Sequence, residues 1–323
     1  MSKKYDYIAS PPDDRDYVYK APSTIDSISY PATFMLPINR IENQGSQIGA
    51  CTGMGVSSAF ERLVSLSNND NSYQASPMFN YSNSRILDAE TLNVDNGTTL
   101  RSACGNLRLL GICRESTWPY LAKNLSRNPS QEAYNEARTL SQAVNYFEVV
   151  RSVNAFKYIL SQLGYYITIG FTVYPAFESA QVIKTGDVPD PQPNDVQIAG
   201  HAVNLCGWDD TTGRFIFINS YGTTSWGNNG LGTLSYNYVM NTTYTSEVKL
   251  LIPTAEFDDR LDAFHRFTAP STTLPSTAGQ TASGDLSLVT KLLILIVALL
   301  VLIIFYYIFF IRDKNQSSYQ SNV

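Results

Sequence analysis

The sequence predicts an α+β protein built as two lobes, and three observations lead there. Helical periodicity is concentrated in the first half of the chain, and short β-branched or aromatic runs follow one another in the second. No internal repeat of solenoid or propeller length interrupts that order. At 323 residues the chain can bury a substantial core as one large domain or two ordinary ones.

The helices come first. From Cys51 to Leu66, the residues Val56, Phe60, Leu63 and Val64 fall on one face; Leu100 to Ile112 repeats the pattern with Leu100, Leu107, Leu110 and Ile112. Ala155 to Leu163 gives a third helix. The strand candidates are YYITIGFTVY (165–174), HAVNLCGW (201–208), RFIFIN (214–219), GTLSYNYV (232–239) and EVKLLIP (247–253), parted by Gly, Asp-Asp and Asn-Gly turn signals. Asp209 and Asp210 sit in such a turn, where Asp bonds the local backbone, and that reading is preferred to a general-acid couple.

Composition removes several function classes. Charged residues make up 16% of the chain, against roughly 25% in average soluble domains, and 21 Tyr with 15 Phe rule out a disordered chain. With 23 Lys+Arg against 28 Asp+Glu, a net charge of −5 and no basic block, nothing supplies the counterion release that nucleic-acid binding needs. The four cysteines, Cys51, Cys104, Cys113 and Cys206, form no CxxC pair. Neither His201 nor His265 has the spacing to Cys or carboxylates that a zinc site requires, so no metal and no cofactor is expected. His265, in DAFHRF, reads as a surface residue.

The two ends differ. MSKKYDYIASPPDDRDYVYKAPS has lysines but no apolar stretch behind them, so no secretory signal peptide is expected. From Leu292 to Ile311 the run LLILIVALLVLIIFYYIFFI has no charged residue and would extend about 30 Å as a helix, the thickness of a bilayer core. Lys291 precedes it, Arg312 and Lys314 follow it, and Tyr306 and Tyr307 lie toward its far end, as expected of a single transmembrane anchor. Ser271 to Ser287, built mainly of Ser, Thr, Gly, Ala and Pro, reads as a flexible tether.

The expected organisation is an extended segment over 1–36, the folded domain over 37–258, a linker over 259–290, a transmembrane helix over 291–311 and a short tail over 312–323. Such a tail-anchored protein would hold its domain on the cytosolic face, although Arg312 and Lys314 outnumber Lys291 and pull the other way. The sequons at Asn80, Asn96, Asn124, Asn241 and Asn315 would be used only on a luminal side. Nothing in the sequence speaks to an oligomeric state.

The chemistry begins in IENQGSQIGACTGMG. Gln44, Gly45 and Gly49 precede Cys51, which opens the first helix, where unpaired amides and the positive end of the helix dipole favour a thiolate. A buried small residue is the competing reading for Cys51 alone. His201 enters a strand in GHAVNLCGWDD, and Asn219 ends one in FINSYGTTSWGNNG. A cysteine nucleophile needs a base and a third group to hold the imidazole, and Cys51, His201 and Asn219 occur in an order that supplies all three.

ENQGSQIGACTG, GHAVNLCGWDD and INSYGTTSWGNNG resemble the three signature blocks of the papain-family (C1-type) cysteine proteases. PPDDRDYVY, LRLLGICRESTWPY and TGDVPDPQPNDVQIAGHAV are similar to the compact branch found in bacteria and large DNA viruses. The resemblance covers roughly residues 10 to 252 and leaves out the linker and anchor. It implies a helical lobe carrying the cysteine, a β-barrel-like lobe carrying the histidine, and an extended protein or peptide substrate in the cleft between them.

By position it also implies roles: Cys51 as nucleophile, His201 as its ion-paired partner and later the acid, Asn219 as the orienting group. Gln44 and the Cys51 amide would form the oxyanion hole, with a side-chain donor worth on the order of 3 kcal/mol, and Trp226 would cover the Asn–His contact. The sequence departs from the family at three points. The Gln44-to-Cys51 spacing is one residue longer than usual, Thr52 replaces a Trp after the cysteine, and Tyr221 replaces the Trp that commonly follows Asn-Ser. Only about 50 residues precede Cys51, so autoinhibition by a long helical propeptide is not expected. Ile48 stands where members from oxidising compartments carry a Cys, so reduced thiols are expected.

The leading expectation is a membrane-anchored thiol endopeptidase, the membrane being the host's if the source is a virus. The alternatives are an inactive papain-like module used for binding or structure, and a different Cys–His hydrolase or acyltransferase in which the Asn-Ser-Tyr-Gly block has no role.

Overall fold

The computed structural model describes residues 4–14 and 16–267. Its helices are α1 (Cys51–Asn68), α2 (Pro77–Leu87), α3 (Leu100–Leu110), α4 (Gln131–Ala137), α5 (Val153–Tyr158), α6 (Ala180–Thr185), α7 (Tyr236–Met240) and α8 (Phe257–Arg266). Its strands are β1 (Tyr7–Ile8), β2 (Val18–Tyr19), β3 (Thr33–Met35), β4 (Thr98–Thr99), β5 (Val144–Val149), β6 (Ile167–Val173), β7 (Ala199–Asp209), β8 (Arg214–Ile218), β9 (Leu231–Ser235) and β10 (Thr245–Pro253). The main sheet runs β2-β5-β10-β6-β7-β8-β9 with β3 added along β7, and β1 pairs with β4 apart from it. Helices before strands is the α+β order expected from the sequence.

α1 is the axis of the helical part. Its apolar stripe is present, but every residue from Cys51 to Ser65 is buried, because α2 and α3 cover one side and the sheet the other. Gly53 makes the first contact possible: a Cβ there would lie 2.8 Å from the Pro77 carbonyl. The two charges that become buried are bonded. Glu61 accepts from Arg40 Nη2 at 2.5 Å and from the Ala75 amide at 2.9 Å, and Arg62 Nε donates to the Gly164 carbonyl at 2.8 Å.

Three elements differ from the sequence expectation. α2 has no apolar stripe in the sequence because its buried face is largely polar: Asn80 donates to the Ala103 carbonyl at 3.0 Å and Arg85 Nη1 to the Val94 carbonyl at 2.9 Å. Ser76 caps it by accepting from the Phe79 amide, and Pro77 occupies its first turn. The run 232–239, expected as one strand, is β9 followed by α7. Ser235 ends the strand by capping the helix, its hydroxyl accepting from the Tyr238 amide.

Residues 259–266, expected as linker, belong to α8 instead. Phe257, Leu261 and Phe264 are buried, and the Arg114 guanidinium lies 3.9 Å from the Phe264 ring centroid, so the folded domain continues to Arg266. His265 is exposed on that helix. The tether Ser271–Ser287 and the apolar run Leu292–Ile311 lie outside the described residues. Among the described residues no helix is long and apolar enough to cross a membrane.

Helix and sheet meet at α1 and β7. Asn204 of β7 donates to the Gly55 carbonyl of α1 at 2.8 Å, and its Oδ1 accepts from Thr168 of β6 at 2.7 Å. This buried bridge ties the start of α1 to the strand carrying His201.

Candidate active site

Cys51 is the first residue of α1, preceded by Ala50, which has no side chain able to cap the helix. The orphan amides of the first turn are therefore left for another acceptor. The thiol faces the amides of Ala202, Asp6 and Thr52, each of which favours a thiolate, but burial outweighs them and pushes Cys51 up to about 11. All four cysteines are free and buried.

His201 stands near the start of β7, opposite Phe171 in the ladder with β6. Its Nε2 lies 2.9 Å from Asn219 Oδ1, just beyond the end of β8. That oxygen also accepts from the Ser220 amide at 2.8 Å, which fixes it as an acceptor, so Nε2 carries the imidazole proton. Nδ1 is then a bare lone pair, buried and without a hydrogen-bond partner among the described residues. Burial lowers the His201 pKa to about 4. Burial thus disfavours the charged form of both the thiol and the imidazole.

The network continues to Gln44. Ser220 Oγ donates to Gln44 Oε1 at 2.6 Å, and the Gln44 amide donates to the Ser220 carbonyl at 2.9 Å. With Oε1 fixed, Nε2 is turned toward the Ile48 and Lys4 carbonyls, 3.1 and 3.2 Å away. Cys51 and His201 are 0% exposed, Asn219 1% and Gln44 2%, so water is excluded from the whole set.

Aromatic rings enclose the imidazole. Tyr221 lies flat against it, 5.4 Å between centroids and 3° between planes, while Phe171 and Phe177 present themselves at steep angles at 5.7 and 5.8 Å. Trp226, expected over the Asn–His contact, is stacked on Phe177 at 5.2 Å and tilted against Phe217 at 5.7 Å. The shorter Tyr221 fills the place against the imidazole, and Trp226 supports Phe177 from behind.

The match to known proteins follows the same lines. The family model of the papain family cysteine proteases matches residues 21–250. This chain belongs to the papain family of cysteine proteases. It is 29% identical, over 272 residues covering 76% of this chain and 86% of the relative, to an uncharacterized peptidase C1-like protein of Acanthamoeba polyphaga mimivirus. The crystal structure of xylellain, a cysteine protease from Xylella fastidiosa, superposes with a TM-score of 0.71 at 27% identity, covering 79% of this chain and 98% of that one. Procathepsin B from Trypanosoma congolense shares the fold, with a TM-score of 0.57 at 14% identity over 77% of this chain and 87% of that one. The papain-family chain is thus a cysteine peptidase by family.

Of the residues singled out in the sequence, His201, Asn219 and Gln44 share one hydrogen-bonded chain through Ser220, and Cys51 lies against the amide that follows His201. Trp226 lies one ring away. Asp209 accepts from the Thr211 amide at 2.8 Å, as a turn residue does, and Asp210, exposed in the same turn, binds Lys157 Nζ at 2.6 Å. Sequence reading missed Ser220 as the link to Gln44, although it stands inside the Asn-Ser-Tyr-Gly block. Phe177 carried no local signal.

Proposed function

We propose that this papain-family chain is a membrane-anchored thiol endopeptidase using Cys51, His201 and Asn219. The observation that carries the reading is the proton arrangement at His201: Nε2–H is committed to Asn219, and a buried, unpartnered Nδ1 is left to take a proton. In the reaction the Cys51 proton passes to Nδ1, and the thiolate attacks the scissile carbonyl carbon. Gln44 Nε2 and the Cys51 amide hold the resulting oxyanion. The imidazolium then gives its Nδ1 proton to the leaving amine as the C–N bond breaks, leaving a thioester on Cys51. Water, deprotonated by the same Nδ1, hydrolyses the thioester and restores the thiol.

Asn219 keeps the imidazole in the one tautomer this sequence can use. Protein or peptide is the substrate class, with the Leu292–Ile311 run as the bilayer anchor and the domain on its cytosolic side. The test is hydrolysis of a fluorogenic peptide by the intact protein, paired with labelling by an epoxide thiol inhibitor. Both should disappear in Cys51→Ala. Cleavage that persists in Cys51→Ala sinks the proposal, and absence of any cleavage by an unblocked site favours the inactive-module reading. Protease shaving of intact membranes reports the side on which the domain lies.

A further inference from the structure

The side chain that orients His201 is itself tied at one end only. Asn219 Oδ1 meets the imidazole at 2.9 Å and accepts from the Ser220 amide at 2.8 Å. Its Nδ2 is buried and has no hydrogen-bond partner among the described residues. A buried amide nitrogen in that state costs about as much as a lost hydrogen bond. One backbone amide is then left to keep the oxygen, and not the nitrogen, toward the imidazole.

Asn219 shares a small cavity with Glu42. Ser58 of α1 and Ser220 also line it, and it measures about 10 Å³, the room that one water takes. The Asn219 amide, the Ser58 hydroxyl and the Glu42 carboxyl together offer a water the two to four polar partners it needs. The backbone fixes Glu42 in this place. Its carbonyl accepts from the Gly222 amide at 2.8 Å, Asn43 bridges Tyr221, and the Gln44 amide donates to the Ser220 carbonyl at 2.9 Å. Residues 42–44 therefore run antiparallel beside the residues that follow Asn219.

Charge pairing alone does not account for a carboxyl at this position. Arg40 ion-pairs Glu42 Oε1, which accepts no hydrogen bond, and the same guanidinium already binds Glu61 of α1 at 2.5 Å. Glu115, after α3, brings a third carboxyl to the same neighbourhood. Burial pushes Glu42 up to about 8, with Glu61 and Glu115 adding to it and Arg40 opposing. One guanidinium satisfied by Glu61 has no need of two further acids.

We propose that Glu42 is a positioning residue for Asn219, acting through one water in this cavity: Asn219 Nδ2 donates to the water, and the water donates to the Glu42 carboxyl. The amide is then tied at both ends, and its oxygen stays on the imidazole Nε2–H. A carboxyl presents an acceptor oxygen in either protonation state, so the tie holds whether or not Glu42 is ionised. The proposal rests on the reading of Asn219 as the group that orients His201. The two are separable, because diffraction sees the water without asking for turnover.

A crystal structure of the intact chain in detergent, at a resolution that places waters, should show one within hydrogen-bond distance of both Asn219 Nδ2 and a Glu42 carboxyl oxygen. Glu42→Leu should lose that water and lower kcat on the order of tenfold, with KM changed by about twofold or less. Glu42→Gln restores an acceptor and should recover most of the rate, in constant ratio to the native chain through the range in which Glu42 titrates. Both substitutions relieve the crowding at Arg40, so neither should lower the urea midpoint. A cavity without the bridging water overturns the proposal, as does a Glu42→Leu kcat equal to the native one. A loss that follows a lowered midpoint, or that Glu42→Gln shares in full, or a ratio that changes with pH also overturns it. If Glu42→Leu does not unfold cooperatively, the bridging water and Glu42→Gln decide. The bridging water in a chain that hydrolyses no peptide keeps the tie and overturns the peptidase reading instead.

Discussion

The two walls of the cleft deliver their chemistry by different means. The α1 wall is local: Gln44 through Cys51 is one continuous stretch, and the thiol's position follows from being first in a helix without a side-chain cap. The β7–β8 wall is assembled over distance. His201 and Asn219 meet only because β7 and β8 pair in the register Asn204 to Ile218, and Gln44 joins them from far upstream through Ser220. A wall set by local geometry should tolerate loss of one side chain without losing its shape. A wall set by register and buried hydrogen bonds should lose stability as well as activity.

The largest effect tests both walls together. Cys51→Ala and His201→Ala should each lower kcat by on the order of 10⁴-fold or more, and the double variant should be hardly worse than either. Steady-state hydrolysis checks this. Urea unfolding should separate the walls, with Cys51→Ala changing stability by about 1 kcal/mol or less. Equal destabilisation by the two substitutions breaks the comparison.

Gln44→Ala comes next, with a loss of about 10² to 10³ in kcat and little change in KM, since the amide serves the oxyanion formed during reaction. A rise in KM alone would make Gln44 a binding residue.

The pH dependence belongs to the β wall. Burial holds the His201 pKa at about 4, below its ordinary 6.5, so the unfolded chain takes up this proton before the folded one does. Stability from His201 is present above pH 6.5 and is lost as the pH falls from there toward 4, by an amount on the order of 2 kcal/mol at pH 4.5. Urea unfolding of the native chain against His201→Gln at pH 7 and 4.5 isolates this share. A native acid-side slope no steeper than the variant's contradicts it.

The smallest expected effect lies at the junction. Asn204→Leu strands the Gly55 carbonyl and the Thr168 hydroxyl and should cost about 2 kcal/mol. Activity should fall with it, because the bridge sets the spacing of the walls. Unchanged unfolding would show that the walls are held by apolar packing alone.

The same contrast governs how much was legible in the sequence. Cys51 at a helix start, the strands carrying His201 and Asn219, and the α+β order could all be read from short segments. α2 could not, because much of what it buries is Asn, Ser and Arg, with partners such as the Ala103 and Val94 carbonyls outside the helix. The Ser220 link and the Tyr221 stack depend on strand register, which no local pattern states. Trp226 was placed by position in a motif, and its stack on Phe177, which in turn meets the imidazole, is set by the fold. The N-terminal strand was least legible: Lys4 to Tyr7 has no periodicity, and the room for Asp6 and Tyr7 comes from Gly49, Gly97, Gly170 and Gly200, scattered along the chain.

The most direct measurement is acid quenching of peptide turnover by the intact protein, followed by mass mapping of the cysteine-containing fragments. Catalysis through Cys51 predicts an acyl adduct on that residue alone, labile to hydroxylamine as a thioester is, and absent from the same chain carrying Cys51→Ala. Turnover without an adduct on Cys51, together with turnover that survives Cys51→Ala, would contradict it.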